Sequence, residues 1–80
     1  PAAPSGLVTQ ACQWLGHKGV GVSWRAPEND RLISYYEIAK NDVPLTKVSR
    51  GTYFFDVDAE LGAKYTMRSV DFDGQVSDWI

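Results

Sequence analysis

The chain has few of the residues that carry catalysis or bind metals. Cys12 and His17 are its single cysteine and single histidine among 80 residues. One cysteine cannot form an internal disulfide, and these two side chains fall short of the roughly four ligands of a structural zinc site. A lone histidine also gives no basis for a Ser-His-Asp arrangement. We therefore predict no cofactor and no metal site, and we expect Cys12 to be a small buried hydrophobic residue.

Long apolar runs and concentrated charge are missing too. No run approaches the roughly 20 apolar residues that cross a bilayer, so we expect no membrane insertion. The net charge is −2, and the lack of a concentrated basic face argues against nucleic acid as a partner. The basic residues are scattered along the chain: Lys18, Arg25, Arg31, Lys40, Lys47, Arg50, Lys64 and Arg68.

Aromatic residues, in contrast, are abundant. The chain has three Trp, four Tyr and three Phe, and each such side chain can bury about 150–250 Å². A domain of this size buries only roughly 60% of the surface of its unfolded chain. We therefore expect a few aromatic side chains to supply much of a small core.

Hydrophobic residues alternate with a period of two, and no amphipathic stripe of helical length is present. The alternation predicts short strands separated by turn residues, which together indicate an antiparallel β-sandwich. Residues 1–6, which are rich in Pro, Ala, Ser and Gly, read as a linker or lead-in to one domain over residues 7–80. The predicted strands are residues 7–14, 20–24, 33–40, 43–48, 52–57, 65–70 and 76–80.

Several segments, in chain order, resemble the fibronectin type III family over essentially the whole chain. They are residues 4–7 (Pro-Ser-Gly-Leu), 20–27 (Val-Gly-Val-Ser-Trp-Arg-Ala-Pro), 33–38 (Ile-Ser-Tyr-Tyr-Glu-Ile), Leu61 with Tyr65, and 70–77 (Val-Asp-Phe-Asp-Gly-Gln-Val-Ser). The resemblance implies an all-β, seven-stranded antiparallel immunoglobulin-like sandwich. Trp24 would fill the gap between its sheets, and the Tyr65 hydroxyl would bond the backbone near Leu61 as a tyrosine corner. The family's last strand usually runs further than Ile80, so we expect this strand to be short or truncated.

The aromatic residues divide into a predicted core and a candidate binding surface. The predicted core consists of Trp24, Tyr36, Ile38, Leu61, Tyr65 and Met67. The candidate binding surface consists of Trp14, Tyr53 and Trp79. For the surface residues, and for Tyr36, three interpretations stay open: packing in the core or against a neighbouring domain, contact with a protein partner, or stacking on glycan rings.

Other motifs have a chemical and a structural interpretation. Residues 16–21 are glycine-rich, but they lack the spacing of a nucleotide-binding loop, so we predict a β-turn. Residues 71–74 (Asp-Phe-Asp-Gly) predict a hairpin turn, with a weak calcium site that could also use Asp78 as the alternative. The remaining carboxylates read as surface charges, so we predict no catalytic residue and no enzyme activity in this chain: Glu28, Asp30, Glu37, Asp56, Asp58 and Glu60.

The resemblance also implies a function. Modules of this kind are secreted, extracellular accessory or spacer domains that pack against or orient the catalytic domain of a glycoside hydrolase or another polysaccharide-acting enzyme. The expected partners are therefore neighbouring domains of a larger protein. The alternative is a module that binds protein or carbohydrate through exposed aromatics. The directions in which Trp14 and Trp79 point discriminate between these two functions.

Overall fold

The computed structural model describes all residues from Pro1 to Ile80, and strands dominate it. A single 3₁₀ turn, Asp30–Leu32, is the sole helical element, and no helix is long and apolar enough to span a membrane. The prediction of an all-β chain is confirmed. The strands are β1 (Ser5–Trp14), β2 (His17–Arg25), β3 (Ile33–Lys40), β4 (Val43–Val48), β5 (Tyr53–Val57) and β6 (Tyr65–Asp71).

The strands form two antiparallel sheets of three. The first sheet has the order β1-β2-β5 and the second has the order β4-β3-β6. In each central strand, alternate side chains face the core, because successive side chains of a strand point to opposite faces. Val20, Val22 and Trp24 of β2 thereby meet Tyr36 and Ile38 of β3 in one core.

The core contains five of the six residues predicted for it. The rings of Trp24 and Tyr36 pack edge to face, with centroids 5.4 Å apart and planes at 68°. The assignment of Leu61 is wrong, because this side chain is 57% exposed in the loop before β6. Ala59, two residues earlier, occupies the covered position of that loop.

The start of β1 also differs from the prediction. Ser5 already pairs with Arg25 of β2, so the predicted lead-in ends two residues too late. The pairing then shifts register before Val8, and Gly6 has a φ of +63° at this irregularity. Glycine tolerates such a backbone conformation without steric strain.

The seventh strand, which was predicted over residues 76–80 as short or truncated, does not form a regular strand. Residues 76–80, here called the terminal segment, follow the edge of β6 with one isolated bridge. The N–H of Ser77 donates to the carbonyl of Ser69 (3.0 Å), whereas Ile80 and Met67 exchange two hydrogen bonds (2.9 and 3.2 Å). The three-residue advance from Ser77 to Ile80 therefore lies opposite a two-residue advance from Ser69 to Met67. The terminal segment has one extra residue, as in a β-bulge. The Ser77 hydroxyl fills the irregular position by accepting the N–H of Ser69 at 2.8 Å.

A buried carboxylate joins the two sheets. Asp56 of β5 accepts the hydroxyl hydrogen of Tyr65 at 2.5 Å and lies 2.9 Å from the ammonium of Lys40, both on the second sheet. The predicted tyrosine corner, in which the Tyr65 hydroxyl would bond the backbone near Leu61, is therefore wrong. The prediction that Asp56 is a surface charge is wrong as well. Burial raises the pKa of Tyr65 far above its usual value, and the hydrogen bond to Asp56 adds to this increase.

Candidate binding surfaces

The three aromatics predicted as a binding surface do not share one face. Trp14 and Tyr53 lie on the outer face of the first sheet, where they are 64% and 55% exposed. Trp79 is 46% exposed and packs on Arg68, on the outer face of the second sheet. The molecule therefore has two separate aromatic surfaces on opposite sides.

The first surface is built on glycines of the central strand. Alternation along β5 turns Tyr53 and Phe55 outward, opposite Ser23 and Gly21 of β2. Trp14 of β1 packs edge to face on Phe55, with centroids 6.2 Å apart. We call Trp14, Tyr53 and Phe55 the aromatic face.

The glycines bring these rings close to the sheet. A Cβ on Gly19 would lie 2.6 Å from the ring of Phe55 and 2.5 Å from the carbonyl oxygen of Asp56. A Cβ on Gly21 would lie 2.8 Å from the hydroxyl of Tyr53. Glycine within a strand is typical of such close approach, and here it allows the aromatic side chains to cover the central strand.

Cys12 lies beside the aromatic face rather than in the core, so the expectation of a buried cysteine is wrong. It is half-buried, and its Sγ is 3.8 Å from the hydroxyl of Tyr53. This contact raises the pKa of Tyr53, and partial burial adds to the increase. Alternation in β1 explains the position, because Cys12 and Trp14 share the outward side of that strand.

The hairpin between β1 and β2 extends the apolar surface at its tip. Leu15 and Gly16 form a two-residue turn with φ values of +49° and +80°, as in a type I′ turn. A left-handed backbone costs a non-glycine residue roughly 1–2 kcal/mol. Leu15 is also 78% exposed, so neither backbone preference nor burial accounts for a leucine at this tip.

We predict that Leu15→Asn stabilises the chain by about 0.5–1 kcal/mol, because asparagine tolerates the left-handed region that leucine disfavours. Urea unfolding of the two proteins measures the difference. Leu15→Ala is the matched control, since alanine keeps the backbone strain and should leave the midpoint nearly unchanged. Equal midpoints for the asparagine variant and the native chain would show that the turn is not strained.

The second surface combines an aromatic ring with ion pairs. The guanidinium carbon of Arg68 lies 4.5 Å from the ring centroid of Trp79, and Arg68 Nη2 is 3.2 Å from a carboxylate oxygen of Glu37. Beyond Glu37, the ammonium of Lys47 lies 5.0 Å from the ring centroid of Tyr35. Cationic and aromatic side chains attract at such distances. They order this face into a row of alternating rings and charges.

A groove runs beside Trp79 on this face. Two adjoining hollows of ≈340 and ≈320 Å³ share Ala39, Asp42 and Trp79 in their linings. Pro44 and Leu45 of β4 also line the larger hollow. We call the combined space the Trp79 groove.

The hairpin-turn interpretation of residues 71–74 is confirmed. One carboxylate oxygen of Asp71 accepts the N–H groups of Asp73 and Gln75, each at 2.9 Å, and Gly74 has a φ of +82°. Asp71 thus bonds its own turn, as short acidic side chains in turns often do. No three His, Cys, Asp or Glu side chains lie together so that they could hold a metal ion.

Sequence reasoning did not assign several residues to these surfaces, among them Phe55, Glu37 and Arg68. Phe55 could have been found by the same alternation that turns Tyr53 outward. Glu37 and Arg68 carry no such signal, because their pairing depends on the register between β3 and β6, where they lie opposite each other. Comparisons with family models, with curated proteins and with solved structures find no match to this chain.

Proposed function

We propose that this chain is a non-catalytic, fibronectin type III-like module of a larger secreted protein that acts on polysaccharide. In this proposal the module packs a neighbouring domain against its aromatic face and so holds that domain in a fixed orientation. The observation that carries the proposal is the exposed aromatic face itself, with Trp14 and Tyr53 both more than half exposed. The secreted setting and the polysaccharide-acting partner rest on the family resemblance alone.

The surroundings of the aromatic face support a large, dry contact. Strand β1, at the edge of the first sheet, contains no charged residue in its ten positions. Edge strands usually carry charges or prolines that prevent pairing with other chains. Exposed apolar patches on soluble domains commonly mark interaction sites, and Leu15 extends this one at the cost of backbone strain.

The docking proposal predicts a specific protection of Trp14. In the larger protein we expect acrylamide to quench Trp14 fluorescence much less than in the isolated chain, because the neighbouring domain covers the indole. Changing Trp24 and Trp79 to Phe leaves Trp14 as the one tryptophan of the module, and Trp14→Phe in the same background gives the signal of the neighbouring domain, which is subtracted. Equal quenching in both would refute docking on this face.

A paired substitution tests the energetic role of the same face. Trp14→Ala with Tyr53→Ala should weaken the domain contact by about 2 kcal/mol or more, as loss of central aromatic contacts does in other interfaces. Calorimetry of the larger protein should then show two unfolding transitions in place of one. Trp79→Ala, on the opposite face, is the control and should leave one transition. The same changes in the isolated chain report their direct cost to the module.

A further inference from the structure

We infer that the Trp79 groove binds neutral saccharide chains, with one pyranose ring stacked on the indole of Trp79. The groove lies on the second sheet, opposite the aromatic face, so the inference does not depend on docking there. Its support comes from the two bulges that shape the groove, from its charge pattern and from its size.

The first bulge presents the aromatic ring. The extra residue between Ser77 and Ile80 interrupts the regular pairing with β6, and Trp79 lies on the outer face against Arg68. The guanidinium contact fixes the indole in place, while nearly half of the side chain remains open to solvent. A fixed, exposed ring face carries negative partial charge and attracts the weakly positive C–H groups of a sugar ring.

The second bulge builds the opposite wall. Ile38 of β3 pairs with Thr46, but the next residue, Ala39, pairs with Pro44, so Leu45 is an extra residue in β4. Bulges commonly re-aim side chains beside binding sites. Ala39 between the walls has no side-chain atoms beyond Cβ, so the floor stays low enough for a ring to approach.

The charges of the groove favour a neutral, hydroxyl-rich ligand. Three cations and two carboxylates line the groove, so its charges nearly cancel. Arg68 is paired with Glu37 at 3.2 Å, and Lys64 is paired with Asp42 at 3.3 Å. The third cation, Lys47, contacts the ring of Tyr35. Sugar hydroxyls can donate to such carboxylates and accept from such cations without breaking either pair. An anion would meet the two carboxylates, and an apolar peptide would remove the charges from water without replacing their hydrogen bonds.

The dimensions of the groove match this ligand class. Its hollows of ≈340 and ≈320 Å³ are at the lower end of the roughly 300–1,000 Å³ of small-molecule sites. That space suits one or two sugar rings of a longer chain. Because the groove is open and part of the ligand stays solvated, we expect dissociation constants of about 0.1–1 mM.

Nuclear magnetic resonance of the ¹⁵N-labelled chain tests the inference. The probes are cellohexaose, xylohexaose, mannohexaose, chitohexaose and maltohexaose, each added to about 10 mM, well above the expected dissociation constants. We expect at least one of them to shift the indole N–H signal of Trp79 and the amide signals of Ala39 and Thr66. The indole signals of Trp14 and Trp24 should stay in place.

Matched variants separate this site from the aromatic face. Trp79→Ala should weaken binding by about tenfold or more, while Trp14→Ala should leave it unchanged. The amide spectrum of each variant checks its folding, and Leu45→Ala removes the opposite wall independently should Trp79→Ala unfold. If no probe shifts Trp79, or if Trp14→Ala weakens binding as much as Trp79→Ala, the site is disproved.

Discussion

Replacing Trp24 by alanine should lower the free energy of unfolding by about 3–5 kcal/mol, as truncation of large core aromatics does elsewhere. The indole is buried between the sheets and packs edge to face on Tyr36, 5.4 Å away. The remaining core residues are mostly smaller side chains on fixed strands, so they cannot close the space. Small domains have total stabilities near the low end of about 5–15 kcal/mol. We therefore expect this loss to unfold a large fraction of the molecules.

Urea denaturation followed by far-ultraviolet circular dichroism measures the effect. Trp24→Phe keeps an aromatic ring and should lose less stability than the alanine variant. Trp79→Ala is the size-matched control at an exposed position and should shift the midpoint much less. An unchanged midpoint for Trp24→Ala would contradict the position of this residue in the core.

Replacing Asp56 by alanine should lower the free energy of unfolding by about 3 kcal/mol, because Tyr65 and Lys40 would both lose the buried carboxylate that they share. The Tyr65 hydroxyl would lose its hydrogen bond at 2.5 Å, and the Lys40 ammonium would lose its ion pair at 2.9 Å. Asp56→Asn keeps an oxygen acceptor for Tyr65 and should cost less. Equal stabilities of the alanine variant and the native chain would show that the contact between the sheets contributes nothing.

The same contact predicts a loss of stability in alkaline solution. Burial and the hydrogen bond to Asp56 raise the pKa of Tyr65 in the folded chain, so folding favours the protonated phenol. This contribution is complete below the usual tyrosine pKa of about 10 and falls as the pH rises above it. Tyr65→Phe should flatten part of the alkaline decline. The rest is assigned to Tyr36 and Tyr53, whose pKa values are also raised, by burial at Tyr36 and by the contact with Cys12 at Tyr53.

Particular strands show where sequence reasoning succeeds. In β2, the alternation of Val20, Val22 and Trp24 with small residues predicts which side chains are buried, because a strand has only two faces. In β5, the same period places Asp56 on the inner side with Phe54. An aspartate is nevertheless usually exposed. Here Lys40 and Tyr65, which come from distant parts of the chain, pair with the carboxylate and so offset the cost of burying it.

Loops and edges show where such reasoning fails. Leu61 has the residue type of a core position, but the path of its loop leaves it exposed. Val76 to Ile80 contain strand formers, yet a bulge against β6 disrupts regular pairing. Neither outcome has a local signal, because each depends on how backbone segments far apart in sequence meet.

The amino-acid sequence alone determined the all-β class, the approximate extents of β1 to β6 and most of the core, since these follow from a period of two and from residues that end strands. The tertiary structure decided that Trp14 and Trp79 lie on opposite faces, that Asp56 links the sheets and that bulges shape the Trp79 groove. These features depend on register and on contacts between distant segments, which local periodicity does not encode.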